Sequence, residues 1–232
     1  FTVPYGAEVL DAVVQSEKRE AEALQRVFAA ATSGSTFPSE WISERAPHPD
    51  LAAFVMQRGR ACDLIVASQS DPAWDLAPVL DFPERLALES GRPVLLVPAS
   101  GGVFRTTGRN IAIGWSGSRE SARAAFDALP LLLDADSVSV IVGLDARQAG
   151  ERALGAHDLA AALARHGVKV AVREETRHHE SVGELLLSQA AAVGADLLVM
   201  GSYGHSRFRE LVFGGATRYV LRHMTIPTLL SH

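Results

Sequence analysis

One cysteine, Cys62, is all that 232 residues offer, so no disulfide can form within the chain and a reducing compartment is expected. It stands just ahead of an apolar strand candidate, which predicts a buried, inert thiol. Long apolar runs are missing too. The richest, Leu129-Pro-Leu-Leu-Leu133, is far below the roughly 20 residues that span a bilayer, so no membrane partner is expected. A basic excess is also absent. The 22 Lys and Arg face 27 Asp and Glu for a formal net charge of −5, which argues against broad nucleic-acid binding. No signal-peptide pattern opens the chain, and Phe1 rather than Met stands first. The expectation is a cytoplasmic protein with residues missing at the front.

Signatures of catalysis are equally sparse. No G-x-S-x-G nucleophile elbow is present, and Gly114-Trp-Ser-Gly117 falls short of one. His178-His179-Glu180 invites a metal reading, yet adjacent histidines point to different sides and no Cys or His follows at ligand spacing. A solvated loop is favoured there, and neither a metal ligand nor a catalytic residue is assigned.

What the chain does have is glycine in a particular arrangement. The apolar run Asp196-Leu-Leu-Val-Met200 feeds into Gly201 and Gly204, and Gly214-Gly215 then precede a helical stretch from Ala216 to His223. Strand, glycine loop and helix start let backbone N–H groups approach phosphate oxygens closely. The partial positive charge at the helix N-terminus favours an anion there. Ordinary turn and cap glycines are the competing explanation, which the joint spacing disfavours.

The spacing Gly201-x2-Gly204-x9-Gly214, together with the ending Arg222-His-Met-Thr-Ile-Pro227-Thr-Leu-Leu-Ser-His232, resembles the universal stress protein family. In that family the third glycine precedes Ser or Thr; here Gly215 takes that place and Thr217 supplies a hydroxyl two residues on. The resemblance implies an ATP, ADP or AMP site, with Mg2+ accompanying the nucleotide. By resemblance its contacts come from Ile113, Gly114, Trp115 and Ser116 at one strand end and Met200, Gly201, Gly204, His205, Arg207, Gly214, Gly215, Ala216 and Thr217 along the loop. Ser116 replaces an Asp common in the family, which removes a polar contact or metal anchor. Trp115 either borders the pocket or fills core. His205 and Arg207 either touch phosphate or are exposed loop charges. The resemblance further implies a regulatory module with at most slow ATP hydrolysis. Two other classes compete with it: a dimerising scaffold that ignores nucleotide, and an adenylating enzyme. The last rests on Ser116-Gly-Ser118-Arg-Glu120-Ser121, which loosely echoes the loop of ATP pyrophosphatases; a helix start capped by Ser118 explains it better.

An internal repeat sets the organisation. Ala61-Cys-Asp63-Leu-Ile-Val-Ala67 matches Gly194-Ala-Asp196-Leu-Leu-Val-Met200, and Gly91-Arg-Pro93-Val-Leu-Leu-Val97 matches Thr225-Ile-Pro227-Thr-Leu-Leu230. The expected fold class is α/β, a doubly wound parallel sheet of Rossmann-like, adenine-nucleotide-binding type in two tandem copies, the first incomplete. Residues 1–100 form a degenerate copy without its first strand and helix, 101–108 a linker, and 109–232 a complete copy with the glycine loop. In the first copy Ser68 and Asp71 occupy the glycine positions, and Asp71 and Asp75 would repel phosphate.

Along the second copy, strands are expected at Asn110–Trp115, Ser137–Val142, Val168–Val172, Asp196–Met200 and from Pro227. A helix from Arg119 to about Asp134 carries Ala122, Phe126, Leu129 and Leu133 on one face, and Pro130 is expected to kink it or sharpen its last turns. Further helices span Glu151–His166 and Val182–Val193. In the first copy, helices are expected at about Ala7–Ala31 and Asp50–Arg60, and a possible strand at Glu40–Arg45. The Pro-led last strand is expected at a sheet edge, pairing with the other copy or with a second chain in a homodimer.

Overall fold

The computed structural model describes residues 7–44, 50–70, 82–99, 104–144, 149–176, 181–202 and 215–232. Its contacts divide the chain into two compact units, Phe1–Pro49 and Asp50–His232.

The first unit is built on one long helix, α1 (Ala7–Thr32). Beyond it the chain turns at Ser33-Gly34, and the Trp41 ring comes to lie 5.5 Å from that of Phe28. The strand considered at 40–45 does not form over its described part: residues 40–44 carry no regular structure, and Trp41 packs on a helix instead of pairing in a sheet.

The second unit holds a seven-stranded sheet in the order β1-β2-β7-β6-β3-β4-β5. The strands are β1 (Ile65–Ser68), β2 (Val94–Val97), β3 (Asn110–Trp115), β4 (Ser137–Leu144), β5 (Val170–Thr176), β6 (Leu197–Gly201) and β7 (Thr228–Ser231). Every neighbouring pair is parallel except β2 and β7, which run antiparallel with Leu95 opposite Leu229. The last strand is therefore internal, and the edge expected at Pro227–Ser231 is closed by β2 of the same chain. The hydrogen bonds between β2 and β7 join the strands before and after the 101–108 segment into one sheet.

Parallel strands need crossovers, and helices supply them on both faces. The helices of this unit are α2 (Leu51–Gly59), α3 (Phe82–Glu89), α4 (Arg119–Asp127), α5 (Leu129–Leu133), α6 (Ala149–Arg165), α7 (Val182–Ala192) and α8 (Gly215–His223). Strand residues alternate between two cores. In β6, Leu198 and Met200 join Met56, Leu86, Leu185, Leu186, Val220 and Leu221 under α2, α3, α7 and α8. Leu197 and Val199 join Ile113, Ala125, Leu132 and Leu163 under α4, α5 and α6. No described helix is long and apolar enough to cross a membrane.

Two features came out differently from the sequence reading. The helix expected over 119–134 is broken at Ala128 into α4 and α5, with Pro130 in the first turn of α5. Its inner face is Ser121, Ala124, Ala125, Ala128 and Leu132, whereas Phe126 and Leu133 are 45% and 50% exposed. Alanines let the helix sit close to the sheet, so the smaller side chains take the buried stripe and the larger ones face out. Cys62 is exposed rather than buried, because β1 begins only at Ile65 and the cysteine falls in the preceding turn.

Asp196 fixes the entry to the central strand. Its carboxylate accepts backbone N–H groups of Gly108 at 3.0 Å, Arg109 at 3.2 Å and Asn110 at 2.9 Å, so β3 starts in register with β6. Burial raises the pKa of this carboxyl, but the Thr106 hydroxyl and those three N–H groups outweigh it and hold the group below the usual range.

Candidate functional site

The carboxyl ends of β3 and β6 lie side by side, with Ile113 opposite Val199 and Gly114 opposite Met200. Open α/β sheets bind ligands at such ends, where the winding reverses. Helix starts that follow strands on this side include α4 after β3, α7 after β5 and α8 after β6.

Local sequence decides what each start can accept. Ser118 caps α4 by accepting the Ser121 N–H, and Glu120 occupies its first turn. Ser181 caps α7 in the same way through the Glu184 N–H, again with an acidic residue in the first turn. The first turn of α8 has no acidic residue, and its opening Gly215 is exposed. Among the described residues, a side chain added at Gly215 would meet nothing within 4 Å. Of these three dipoles, two are already served by the protein's own oxygens, while the first turn of α8 carries no carboxylate of its own.

Glu120, in the first turn of α4, is 4% exposed and accepts a hydrogen bond from Arg119. Burial pushes this carboxyl up, but hydrogen bonds from Arg119, its own backbone N–H and Ser118 prevail and keep it below the ordinary carboxylate range. Such a group stays ionised at neutral pH and makes a weak general base. The 116–121 segment is a capped helix start: Ser116 Oγ donates to Ser118 Oγ at 3.1 Å, and Ser121 Oγ donates to the Ser118 carbonyl at 2.8 Å.

The candidate residues separate by position. Ile113 and Met200 are buried at 0% and 4% exposure in opposite cores, so only their backbone can face a ligand. Gly114 leaves room for α7, since a Cβ there would come 3.0 Å from the Leu186 side chain. Gly201 has a stricter reason to be glycine: an added Cβ would lie 2.4 Å from the Glu120 carbonyl carbon, where the start of α4 crosses β6. Trp115 is half-buried against the second core, and its indole N–H, facing Gly155 of α6, is buried without a hydrogen-bond partner among the described residues. Ser116 is exposed at the strand end. Ala216 is half-buried and Thr217 fully buried, 3% exposed. Gly204, His205, Arg207 and Gly214 lie outside the described residues, as do Asp71, Asp75 and the 178–180 cluster.

The sequence reading passed over Ser202. Its N–H and Oγ both donate to the Ser231 carbonyl, at 2.8 and 3.0 Å, and its own carbonyl is 3.0 Å from His232 Nδ1. The root of the glycine loop is thereby tied to the end of β7. A serine after a strand carries no signal of this, because the partner comes from the far end of the repeat.

The sequence profile of the universal stress protein family matches residues 108–232, more than half of the chain. The chain belongs to the universal stress protein family. A universal stress protein of Synechocystis sp. is 40% identical over 67 residues, which are 29% of this chain and 22% of that protein's length. A universal stress protein from Archaeoglobus fulgidus superposes with a TM-score of 0.73 at 16% identity, over 95% of this chain and 79% of its own. A functionally unknown protein from Pseudomonas aeruginosa superposes with a TM-score of 0.53 at 16% identity, over 100% and 79% of the two chains. At these identities the structural likeness is one of fold, and the universal stress protein profile ends with β7 at the strand that joins the two parallel halves of the sheet.

Proposed function

We propose that this universal stress protein binds an adenine nucleotide, ATP, ADP or AMP, at the carboxyl ends of β3 and β6, and acts as a regulatory module of the stress response in the cytoplasm. The observation that carries this reading is the start of α8: an exposed glycine with no described residue close to it, no acidic residue in its first turn, and two other helix starts on this side already capped. Phosphate oxygens there would meet backbone N–H groups and a favourable dipole. The adenosine would lie against the backbone of Gly114 to Ser116. Among the described residues no His, Cys, Asp and Glu group is placed to hold a metal, so Mg2+ would enter on the phosphates.

Catalysis is not part of the proposal. Glu120 is neutralised by Arg119 and its pKa is depressed, so hydrolysis would be slow at most. Binding would act by favouring one conformation or partner, which requires different affinities in two states. A homodimer belongs to the reading as well, though through a surface other than β7, which is already paired within the chain.

Isothermal titration with ATP should show one site per chain. The Gly215→Val variant should melt like the wild type, because its side chain would meet none of the described residues, yet lose the heat of binding. A wild type that gives no heat, with melting unchanged at millimolar ATP, would leave the nucleotide-independent scaffold in its place.

A further inference from the structure

The end of α8 is held by a residue from the other half of the sheet. Helices leave their last carbonyls without internal partners. In α8 the Leu221 carbonyl receives the Gln69 side-chain amide at 2.6 Å, across 152 residues of sequence. Gln69 is itself fixed on two sides: its Oε1 accepts the Ala99 N–H at 3.0 Å, and its backbone N–H donates to the Val97 carbonyl at 2.8 Å. With the oxygen engaged, the amide has one orientation, and its N–H points at α8.

Near its start α8 is held a second time. Gly183 of α7 lies so close that an added Cβ would be 2.8 Å from both the Ala216 carbonyl oxygen and the Tyr219 Cβ. A helix of nine residues pinned at a crossing near its first turn and at a carbonyl near its last can tilt only if one contact breaks. In the repeat Gln69 stands where Ser202 stands, at the root of the loop, so the half without a glycine loop uses that position as a brace.

We propose that Gln69 is a positioning residue for the anion site, setting the aim of the N–H groups at the start of α8 through its hold on the other end. The proposal rests on the nucleotide reading of that helix start. It is tested by titrating ATP into the wild type, Gln69→Ala and Gln69→Glu, with hydrogen exchange measured along α8 in the ligand-free proteins. Gln69→Ala should bind about five- to tenfold more weakly, a typical size for coupling between distant groups, and the α8 amides should exchange faster. Gln69→Glu keeps the shape but as a carboxylate cannot donate. Its affinity relative to wild type at the same pH should be low at pH 8 and recover toward pH 5, as the protonated acid regains an O–H donor. A purely packing role would give no such recovery. Wild-type binding with an unchanged Gln69→Ala affinity, or a Gln69→Glu ratio flat with pH, overturns the brace alone; no heat from the wild type removes the nucleotide reading and this proposal together.

Discussion

The strand pairs β1/β2 and β6/β7 can be compared bond by bond. Ile65 N–H donates to the Pro93 carbonyl at 3.1 Å, and Leu198 N–H donates to the Pro227 carbonyl at 3.0 Å. One strand length further, Gln69 N–H reaches the Val97 carbonyl at 2.8 Å and Ser202 N–H the Ser231 carbonyl at 2.8 Å. The frames agree; the surroundings do not. Beyond β6 lies β3, and Asp196 gathers three N–H groups where the chain enters that strand. Beyond β1 no strand lies among the described residues, and the matching Asp63 is exposed and without a hydrogen bond there. At the strand exit Gly201 is pressed against the start of α4, whereas its counterpart Ser68 carries an exposed side chain. A repeated backbone thus does not repeat the constraints on its side chains; those come from whatever packs on the far side of the strand.

The largest expected effect breaks the comparison at the strand exits. Gly201→Ala forces a Cβ into the backbone of Glu120 and Ser121, which cannot rotate away as a side chain would. A loss of roughly 3 kcal/mol is expected in urea unfolding, by analogy with overpacked cores. Ser68→Ala, at the matching place in β1, should stay within about 0.5 kcal/mol, as exposed substitutions do. Equal losses at the two positions would show that the crossing of α4 over Gly201 is not what demands glycine.

Next in size are the paired aspartates. Asp196→Ala strands three backbone N–H groups at the start of β3 and should cost about 2 kcal/mol, while Asp63→Ala should be close to neutral. The pH dependence gives Asp196 a second test. The folded-state pKa of Asp196 lies below its ordinary 3.8, so the stability it adds is present above that value and is lost as pH falls through the lowered one. The gap in stability between wild type and Asp196→Asn should therefore hold from pH 7 to about pH 4 and close below it.

These contrasts also mark what could be read from the chain. Strand positions, the glycine-loop strand and the closeness of Ile113–Ser116 to Met200 follow from apolar runs bounded by Gly and Pro, because buried parallel strands leave that pattern whatever covers them. The face of α4 did not follow. Weighing apolar bulk chose Ala122, Phe126, Leu129 and Leu133, one step round the helix from the true stripe, because close approach to the sheet rewards alanine and the break at Ala128 resets the phase. The partner of the last strand was legible only as a choice between the other copy and a second chain, since an edge states that it will pair and not with what. The roles of Gln69 and Ser202 were not legible at all. Each bonds a carbonyl remote in sequence, and nothing in the local pattern of Gln or Ser encodes such a partner.

The smallest effect sharpens the comparison through the cap of α4. Ser118→Ala removes the acceptor for the Ser121 N–H and should cost about 1 kcal/mol, the usual worth of a serine cap. Its use lies in combination. The Cβ that Gly201→Ala introduces would strike the Ser121 backbone nitrogen at 2.5 Å, the same N–H that Ser118 caps. If the helix start yields to relieve that contact, the cap is already broken in Gly201→Ala, and adding Ser118→Ala should cost almost nothing more. The double variant would then fall short of the sum of the singles by nearly the whole cap value, the signature of neighbours that share one contact. Ser118→Ala combined with Ser68→Ala should add, since no described helix start crosses the end of β1. Additivity in both pairs would mean that β6 moves and α4 stays, placing the rigid element of the site in the helix rather than in the strand.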